Sequence, residues 1–253
     1  MSSFFEGTTP LVVAHRGFAD GVPENTLEAF EKAAALGADI LETDVHGSLD
    51  AHAIVAHDPD LSRVASLPQA IATLTLDDIR EVDLGGAKMP TLVEALEEFP
   101  HHRFSIDVKD DRAIEPTVRA IKAARAQERV MLASFSPSRL EAVSAQLPGV
   151  TIAGTAKQVG PAWLSHLVSR QSAVRRALAG VDALFIPPRA YGMTLLTPRF
   201  IEMVNKAGVS LGAWTINDES EMARYWSSGV RAIVTDRSDL ALAVRARLAS
   251  PTP

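Results

Sequence analysis

Two histidines, His15 and His57, each stand at the end of an apolar segment, where a fold could bring them together. His15 follows LVVA and precedes Arg16, and His57 follows AIVA. Two histidines near carboxylates can act as a general acid and a general base, because imidazole changes charge near neutral pH. The guanidinium of Arg16 can bind two oxygens of a phosphate group. Taken alone, each histidine is more often structural, and Arg16 could equally form a surface ion pair.

Carboxylates recur at alternate positions of two further apolar segments. In ILETDV, Glu42 and Asp44 are two residues apart, and in FSIDVK, Asp107 and Lys109 have the same spacing. Alternate residues of a strand point to the same side. Buried carboxylates need a neutralising cation, and their oxygens suit Mg²⁺ or Ca²⁺. The pattern predicts a divalent-cation site with a lysine beside it, and a set of structural ion pairs is the alternative.

Other polar or aromatic residues have a structural as well as a functional interpretation. Asn25 and Glu28 have the spacing of a capping box, so the segment PENT either begins a helix or contacts the site. Trp214 could wall a small pocket or belong to the core, and Asp236 is expected to cap the last helix. The remaining histidines are predicted to lie in loops or a helix, without a catalytic part: His46, His52, His101, His102 and His166.

Segments of β type alternate with helical segments along the chain. The predicted strands are LVVAH, DILETDV, RFSIDVK, RVMLAS, VTIAG, DALFIP, VSLGAW and RAIVTD, and the predicted helices include residues 26–36, 114–127, 138–146, 198–206 and 219–227. This alternation indicates a parallel sheet, and eight units in a chain of 253 residues fit a (β/α)8 TIM barrel. An open doubly wound sheet is the alternative, disfavoured because no glycine-rich fingerprint follows the first strand.

One region departs from the alternation. Nearly sixty residues separate the second strand from Arg103, which is too many for one crossover. AIVAHD reads as a short extra strand, and the rest holds about two short helices. We interpret this region, about residues 46–100, as an insertion at the barrel mouth. Without a linker-like segment, residues 1–253 are predicted to form a single domain.

Composition excludes several classes of protein. The net charge of −6 argues against a general nucleic-acid binder, and the absence of cysteine excludes disulfides and thiolate metal sites. The N-terminus does not resemble a signal peptide, and no apolar run has the length of about 18 residues that a membrane helix needs. A cytoplasmic protein without membrane insertion is expected, its tail ASPTP is expected to fray, and the oligomeric state is left open.

Several of these segments together resemble one enzyme family. AHRGFADGVPENTLEAFEKAAALGADILETDV, VAHDPDLSR, MPTLVEAL, SIDVK, GAWTIND and GVRAIVTDRSDL are similar to segments of the glycerophosphodiester phosphodiesterase family, and they occur in the family's order from Leu11 to Leu240. The resemblance implies a TIM barrel with a small insertion after the second strand. It also implies metal-dependent hydrolysis of glycerophosphodiesters to glycerol 3-phosphate and an alcohol.

The resemblance also implies a role for each matched position. His15 and His57 would be the general acid/base pair, and the ligands of Mg²⁺ or Ca²⁺ would be Glu42, Asp44 and Asp107. The substrate would be held by Arg16 and Lys109 at the phosphate and by Trp214 on the glycerol side. The nucleophile would be either the glycerol 2-hydroxyl, which gives a cyclic phosphate, or water.

Three positions depart from the family pattern. Asp107 stands where the family usually has glutamate, one methylene longer. Ala51 replaces the usual glycine of a turn, at a cost of about 1–2 kcal/mol if the turn needs a left-handed residue, so the hairpin that carries His57 is expected to differ in shape. The usual glycine-rich loop after the next arginine reads RVASLPQA.

Two other functions compete with this one. A phospholipase D-type activity on lysophospholipids would use the same barrel residues but needs an apolar or membrane-docking surface, and the sequence shows no amphipathic basic helix and no exposed aromatic run. The second alternative is a catalytically weakened barrel that binds phosphate ligands. The presence of Asp107 and of Ala51 in the turn, both departures from the family pattern, permits it.

Overall fold

The computed structural model describes residues 3–7 and 10–249. Its strands are β1 (Leu11–Ala14), β2 (Ile40–Gly47), β3 (Ala53–Val55), β4 (Arg103–Val108), β5 (Val130–Ala133), β6 (Thr151–Ile152), β7 (Ala183–Ile186), β8 (Arg189–Ala190), β9 (Met193–Thr194), β10 (Ser210–Ala213) and β11 (Ala232–Thr235). Its helices are α1 (Leu27–Leu36), α2 (Ser62–Ala65), α3 (Leu76–Glu81), α4 (Leu92–Glu98), α5 (Ile114–Ala123), α6 (Pro137–Ser144), α7 (Ala156–Leu167), α8 (Gln171–Ala177), α9 (Pro198–Lys206), α10 (Glu219–Ser227) and α11 (Ser238–Ala249). Of the tail ASPTP, predicted to fray, Ala249 ends α11 and residues 250–253 lie outside the described residues.

Eight parallel strands form a barrel, which confirms the predicted fold class. The order is β6-β5-β4-β2-β1-β11-β10-β7, and a parallel bridge between Ala153 and Ala183 joins its two ends. The strands are buried almost throughout, because side chains fill the barrel and helices cover its outside. The strands' carboxyl ends therefore meet at one rim, where TIM-barrel enzymes have their active sites.

The interior of the barrel changes from apolar to charged along its axis. At the amino end of the strands, Leu11, Val13 and Ile40 pack with Phe4 and Phe5 in one buried cluster. Farther along β2, toward the mouth, the sequence changes to carboxylates. The apolar end provides packing, so the mouth can hold charged groups at a cost in stability.

Two predicted helices, α9 and α10, have the predicted bounds, and others differ. The helix α1 begins one residue late because Thr26 is its N-cap: the Thr26 hydroxyl accepts from the amide of Ala29 at 3.2 Å. The predicted capping box of Asn25 and Glu28 is therefore wrong. The sequence prediction also missed α7 and α8, because the Gly160–Pro161 pair inside α7 is typical of a turn.

The region between β2 and β4 carries the extra strand that the sequence predicts. The strand β3 pairs antiparallel with β2, with Val45 opposite Val55. A small core of its own supports this region, formed by Ile54, Leu61, Ile71, Ile79, Val82, Leu84 and Met89. The hairpin is thus anchored on both sides, and it delivers the residues after β3 to the barrel mouth.

Ala51 occupies the left-handed conformation that its turn requires, with φ of 63°. The hydroxyl of Ser48 donates to Asp50 and accepts from the amide of His52, which closes the turn around the alanine. The turn therefore keeps a left-handed residue, and the strain of the alanine is retained in it.

Ala51→Gly should raise the free energy of unfolding by about 0.5–1 kcal/mol. Glycine removes the steric cost of the left-handed conformation. It also raises the conformational entropy of the unfolded chain, which cancels part of the gain in stability. Urea denaturation at an unchanged m-value would measure the gain. A loss of stability would show that the turn holds alanine without strain.

Within the described ranges, no helix has both the length and the apolar character needed to cross a membrane.

Candidate active site

Three carboxylates and a lysine lie together at the carboxyl end of β2 and β4. Asp44 and Asp107 are register partners on these adjacent strands. Lys109 Nζ lies 2.7 Å from Asp44 Oδ1 and 2.6 Å from Asp107 Oδ2, so one ammonium bridges both carboxylates. Glu42 lies two residues before Asp44 on the same face. The period-two prediction for these four side chains is therefore reproduced.

The carboxylates crowd one another. Burial and the charge of Asp44 raise the pKa of Glu42 to about 8. Burial also raises the pKa of Asp107, although Lys109 opposes the change. The Oδ1 atom of Asp107 is buried without a hydrogen-bond partner. An excess of negative charge and an unpartnered oxygen are what a divalent cation would relieve.

The donor chemistry thus fits a hard cation. The described side chains as they stand in the structure, however, do not form a complete set of ligands. Among the described residues, no three histidine, aspartate or glutamate side chains converge closely enough to hold a metal ion. Lys109 Nζ instead neutralises Asp44 and Asp107. The lysine would have to give up part of this pairing when a cation binds to both carboxylates.

Arg16 is bound to the carboxylates by its backbone and its side chain. Its amide donates to Glu42 Oε2 at 3.0 Å, its Nη1 donates to Glu24 at 2.9 Å, and its Nε lies 3.4 Å from Asp44. It has a left-handed φ of 56°, and Gly17 follows with φ of 82°. A Cβ at Gly17 would lie 2.7 Å from the backbone of Ala29. The glycine therefore lets α1 pack directly against the loop that aims Arg16.

Asn25 contacts the site, which resolves the two interpretations of PENT. Its Nδ2 donates to Asp44 Oδ2 at 3.3 Å, and its Oδ1 accepts from the hydroxyl of Thr43 at 2.9 Å. Its amide donates to the carbonyl of Arg16. Asn25 thus orients Asp44 from the loop, while Thr26 starts the helix.

His15 is held by a carboxylate from the last strand–helix loop. Its Nδ1 lies 2.7 Å from Asp236 Oδ1, and Asn217 Nδ2 donates to Asp236 Oδ2. A carboxylate only accepts, so Nδ1 carries the proton and Nε2 is left for chemistry. Burial would lower the pKa of His15, but the hydrogen bond to Asp236 and the charge of Glu42 outweigh it, and the pKa is raised. The sequence predicts that Asp236 caps the last helix, and the structure shows that its carboxylate holds His15 and accepts from Asn217.

His57 has a similar arrangement on the other side of the mouth. Its Nδ1 lies 2.7 Å from Asp58 Oδ1. His46 binds the carbonyl of His57 through Nε2 at 3.1 Å and Asp110 through Nδ1 at 2.8 Å. His46 lies on β2 and is buried, so its predicted place in a loop or helix is wrong. It acts as a structural support that fixes the backbone of His57.

Arg63 connects the two sides of the mouth. Its Nε contacts Asp58 Oδ2 at 2.5 Å, and its Nη2 contacts Glu24 Oε1 at 2.7 Å. Glu24 also binds Arg16, so a chain of charged contacts runs from His57 to Arg16. Sequence reasoning missed Arg63, although its place five residues after Asp58 in the mouth insertion was a usable signal.

Arg63→Met should lower kcat by about 10-fold with a smaller change in KM, because Asp58 would no longer be held against His57. The side chain is half exposed, so the fold should be kept. Steady-state kinetics would measure the change, and Arg63→Lys should recover part of kcat. An unchanged kcat with a raised KM would instead assign Arg63 to substrate binding.

Trp214 is half-buried, and it is shared between the core and the mouth. Its Nε1 donates to the carbonyl of Phe185 at 2.9 Å, and its ring lies 6.1 Å edge-on from Phe135. Phe135 is 72% exposed, and Lys109 Nζ lies 5.5 Å from its ring centre. An open groove of about 760 Å³ is lined by His57 and Lys109 together with Arg112 and Arg139.

The chain is similar to proteins of one family. A family described as "Glycerophosphoryl diester phosphodiesterase family" matches residues 15–240. The probable glycerophosphodiester phosphodiesterase 2 of Mycobacterium tuberculosis is 33% identical over 91% of this chain and 88% of its own length. The glycerophosphodiester phosphodiesterase of Caldanaerobacter subterraneus is 31% identical over 89% of this chain and 93% of its own.

Solved structures show the same architecture. The crystal structure of glycerophosphodiester phosphodiesterase from Agrobacterium tumefaciens matches with a TM-score of 0.77 and 25% identity, over 93% of this chain and 99% of the other. A phosphodiesterase of Oleispira antarctica, solved in complex with the product sn-glycerol-3-phosphate, matches with a TM-score of 0.79 and 24% identity over 93% and 96%. At that identity the second match bears on the fold alone.

Proposed function

Since this chain belongs to the glycerophosphoryl diester phosphodiesterase family, we propose that its glycerophosphodiester phosphodiesterase activity proceeds with His15 and His57 as the general acid/base pair. The products are glycerol 3-phosphate and an alcohol. One observation carries the proposal: each histidine has its Nδ1 held by a carboxylate, which leaves Nε2 to exchange a proton at the mouth. Glu42, Asp44 and Asp107 lie on the neighbouring strands at the same rim.

The same residues would hold the charged part of the substrate. Glu42, Asp44 and Asp107 would hold a divalent cation, Mg²⁺ or Ca²⁺, which when bound neutralises phosphate charge and polarises the phosphoryl group. Arg16 and Lys109 would bind the non-bridging phosphate oxygens. Trp214 would line the glycerol side. The insertion, about residues 46–100, serves this one domain by carrying His57.

The two histidines divide the proton transfers between them. One removes the proton of the nucleophile, and the other protonates the leaving alkoxide. Asp236 and Asp58 each stabilise the imidazolium that forms when their histidine takes up a proton. Water and the glycerol 2-hydroxyl both satisfy this scheme as nucleophile, and a cyclic phosphate would accumulate only with the second.

A hydrolysis assay on glycerophosphocholine and on a lysophospholipid, each with and without a chelator, tests the proposal. Release of glycerol 3-phosphate from the first substrate, lost with chelator and restored by Mg²⁺ or Ca²⁺, is expected. Preferential hydrolysis of the lysophospholipid would favour the phospholipase D-type activity, and phosphate-ligand binding without turnover would favour the weakened barrel. Turnover that persists in chelator would refute the metal assignment.

Glu42→Gln should make thermal stability less dependent on pH. The pKa of Glu42 is about 8 in the fold, against a usual value near 4.5. As pH rises, the unfolded chain loses this proton at a lower pH than the folded protein does. The free energy of unfolding of the wild type therefore falls as pH rises from 4.5 toward 8. The Tm of the Glu42→Gln variant minus that of the wild type should therefore increase between pH 4.5 and pH 8 and then level off.

Cation titration in the same melts gives a readout that does not depend on turnover. Mg²⁺ or Ca²⁺ should raise the wild-type Tm more at pH 8.5 than at pH 6, because the ionised carboxylate is the ligand. The Glu42→Gln variant should respond less. Equal responses of both proteins at both pH values would remove Glu42 from the cation site.

A further inference from the structure

The quadrant of the barrel after β6 differs in charge from the rest of the molecule. Residues 142–181 contain none of the chain's 31 acidic residues and four of its 25 lysines and arginines. Up to Ile201 the only further acid is Asp182, whose Oδ2 accepts from the backbone amide of Ile152 at 2.9 Å. A basic region therefore stands on a protein whose net charge is −6.

The basic side chains of this quadrant are exposed, and among them Arg175 donates to the carbonyl of Lys206. Six are exposed, and within residues 3–7 and 10–249 none lies in an ion pair with a carboxylate: Lys157, Arg170, Arg175, Arg176, Arg189 and Arg199. No described carboxylate therefore lies within ion-pair distance of these six cations, although Glu202, whose pKa is lowered chiefly by Lys206, is close enough to Arg199 for that charge to lower it further.

The same quadrant exposes apolar side chains along one face of α7. Leu164, Leu167 and Val168 are 63%, 53% and 64% exposed, and their i, i+3, i+4 spacing puts them side by side on the helix. The adjacent residue His166 is buried against the ring of Phe200, 5.2 Å away. The helix thus buries one face and presents a second apolar face outward.

The hairpin that follows β7 adds two more exposed apolar side chains. Tyr191 and Met193, in the β8–β9 hairpin, are 98% and 41% exposed. The amide of Leu195 donates to the carbonyl of Pro188 and closes the base of this hairpin. Two residues later, Thr197 is the N-cap of α9 and contacts His166 Nε2 at 3.3 Å.

These contacts put the end of α7 and the hairpin on the same side of the barrel as the active site. The hairpin and the start of α9 follow the carboxyl end of β7, which is the rim where the strands end in functional residues. The apolar side chains of α7 and the hairpin, with the exposed cations around them, form what we name the mouth patch. It includes Leu164, Leu167, Val168, Tyr191, Met193, Lys157, Arg170, Arg189 and Arg199.

We propose that the mouth patch docks the enzyme on an anionic lipid surface. Clustered exposed apolar side chains mark interaction sites, and exposed cations that form no ion pair with a described carboxylate complement acidic lipid headgroups. The docking is peripheral, since the apolar residues cover one helical turn and a hairpin tip. The sequence analysis found no basic amphipathic helix, and α7 itself carries one lysine, so the cations of the patch come mainly from the residues around the helix.

Sedimentation with lipid vesicles tests the proposal on the whole chain. Binding to vesicles of phosphatidylcholine with half phosphatidylglycerol should exceed binding to pure phosphatidylcholine and should be lost in 1 M salt. Arg170→Gln with Arg189→Gln should weaken binding by about 30-fold, the effect of two cations near an anionic surface. Leu164→Ser with Leu167→Ser should weaken it at least 10-fold.

Matched controls separate docking from folding and catalysis. Lys88→Gln with Lys122→Gln removes two exposed cations elsewhere and should leave binding unchanged. All patch variants should hydrolyse soluble glycerophosphocholine at the wild-type rate, and His57→Ala should bind vesicles normally. The proposal is overturned by equal binding to neutral vesicles, by no binding at half phosphatidylglycerol, or by patch variants that bind like wild type. A homodimer that dissociates in the leucine variant would also overturn it, by assigning the patch to a second copy.

Discussion

Replacing either His57 or His15 by alanine should lower kcat for glycerophosphocholine by about 10²–10⁴-fold, the usual contribution of one general acid or base. Each imidazole has a carboxylate partner on Nδ1, and each lies beside the cluster of Glu42, Asp44 and Asp107. His46 on β2 also has a carboxylate on Nδ1, but its Nε2 is bound to the carbonyl of His57 and is not left for proton transfer. The two losses should not multiply in the double variant, because both groups would act in the one proton-transfer scheme that we propose.

The control for this experiment is His52→Ala. His52 also pairs with an aspartate, Asp50 at 3.2 Å, but its side chain is 44% exposed in the hairpin turn. Its removal should leave turnover within about twofold, because the turn is closed mainly by Ser48. Circular dichroism would show whether each variant is folded. Near-normal turnover of folded His57→Ala would refute its assignment as acid or base.

The parts of this site that lie on strands could be predicted from the sequence. Glu42, Asp44 and Asp107 alternate on two strands, Lys109 directly follows the second of them, and parallel register then brings all four to one rim. His15 could be placed there for the same reason, as the residue that directly follows β1. Local periodicity shows where the strands lie and which side chains share a face. The fold class and the carboxylate cluster could therefore be predicted without knowledge of any long-range contact.

The residues that hold the histidines could not be predicted in the same way. Asp236 is 221 positions from His15, and nothing in its local sequence distinguishes a partner of histidine from a helix cap. Asn25 had a local explanation as a cap, and only the structure shows its contact with Asp44. Long-range pairing depends on which loops meet at the mouth, and single-sequence periodicity does not describe loops.

The helix α7 was missed for a related reason. Gly160 and Pro161 weaken the helical pattern, yet Trp163 and His166 bury enough ring surface to hold the helix against α9. Tertiary packing thus overrides local propensity in this region. The sequence alone does not distinguish the exposed apolar face of α7 from its buried face, because both carry large apolar side chains.

Asp107→Glu should lower kcat by on the order of 10²-fold while the protein stays folded. Asp107 is buried, its Oδ2 lies 2.6 Å from Lys109 Nζ, and that nitrogen is also 2.7 Å from Asp44 Oδ1. One more methylene would carry the carboxylate into the space where Lys109 bridges the two aspartates. A displacement of about 1 Å at a reacting centre can cost about 10²-fold in rate.

The opposite outcome has an equally definite physical cause. Asp107 Oδ1 is buried without a hydrogen-bond partner, so a longer side chain could bring that oxygen to a cation that the aspartate reaches only through water. The family to which the chain belongs usually has glutamate here, and restoring it would then tighten cation binding and keep or raise kcat. Cation titration followed by thermal melting, together with steady-state rates, separates the two cases. We expect the loss of kcat, because Lys109 and Asp44 are already fitted around the shorter side chain. Turnover equal to wild type, with tighter cation binding, would show that the site tolerates aspartate without having adapted to it.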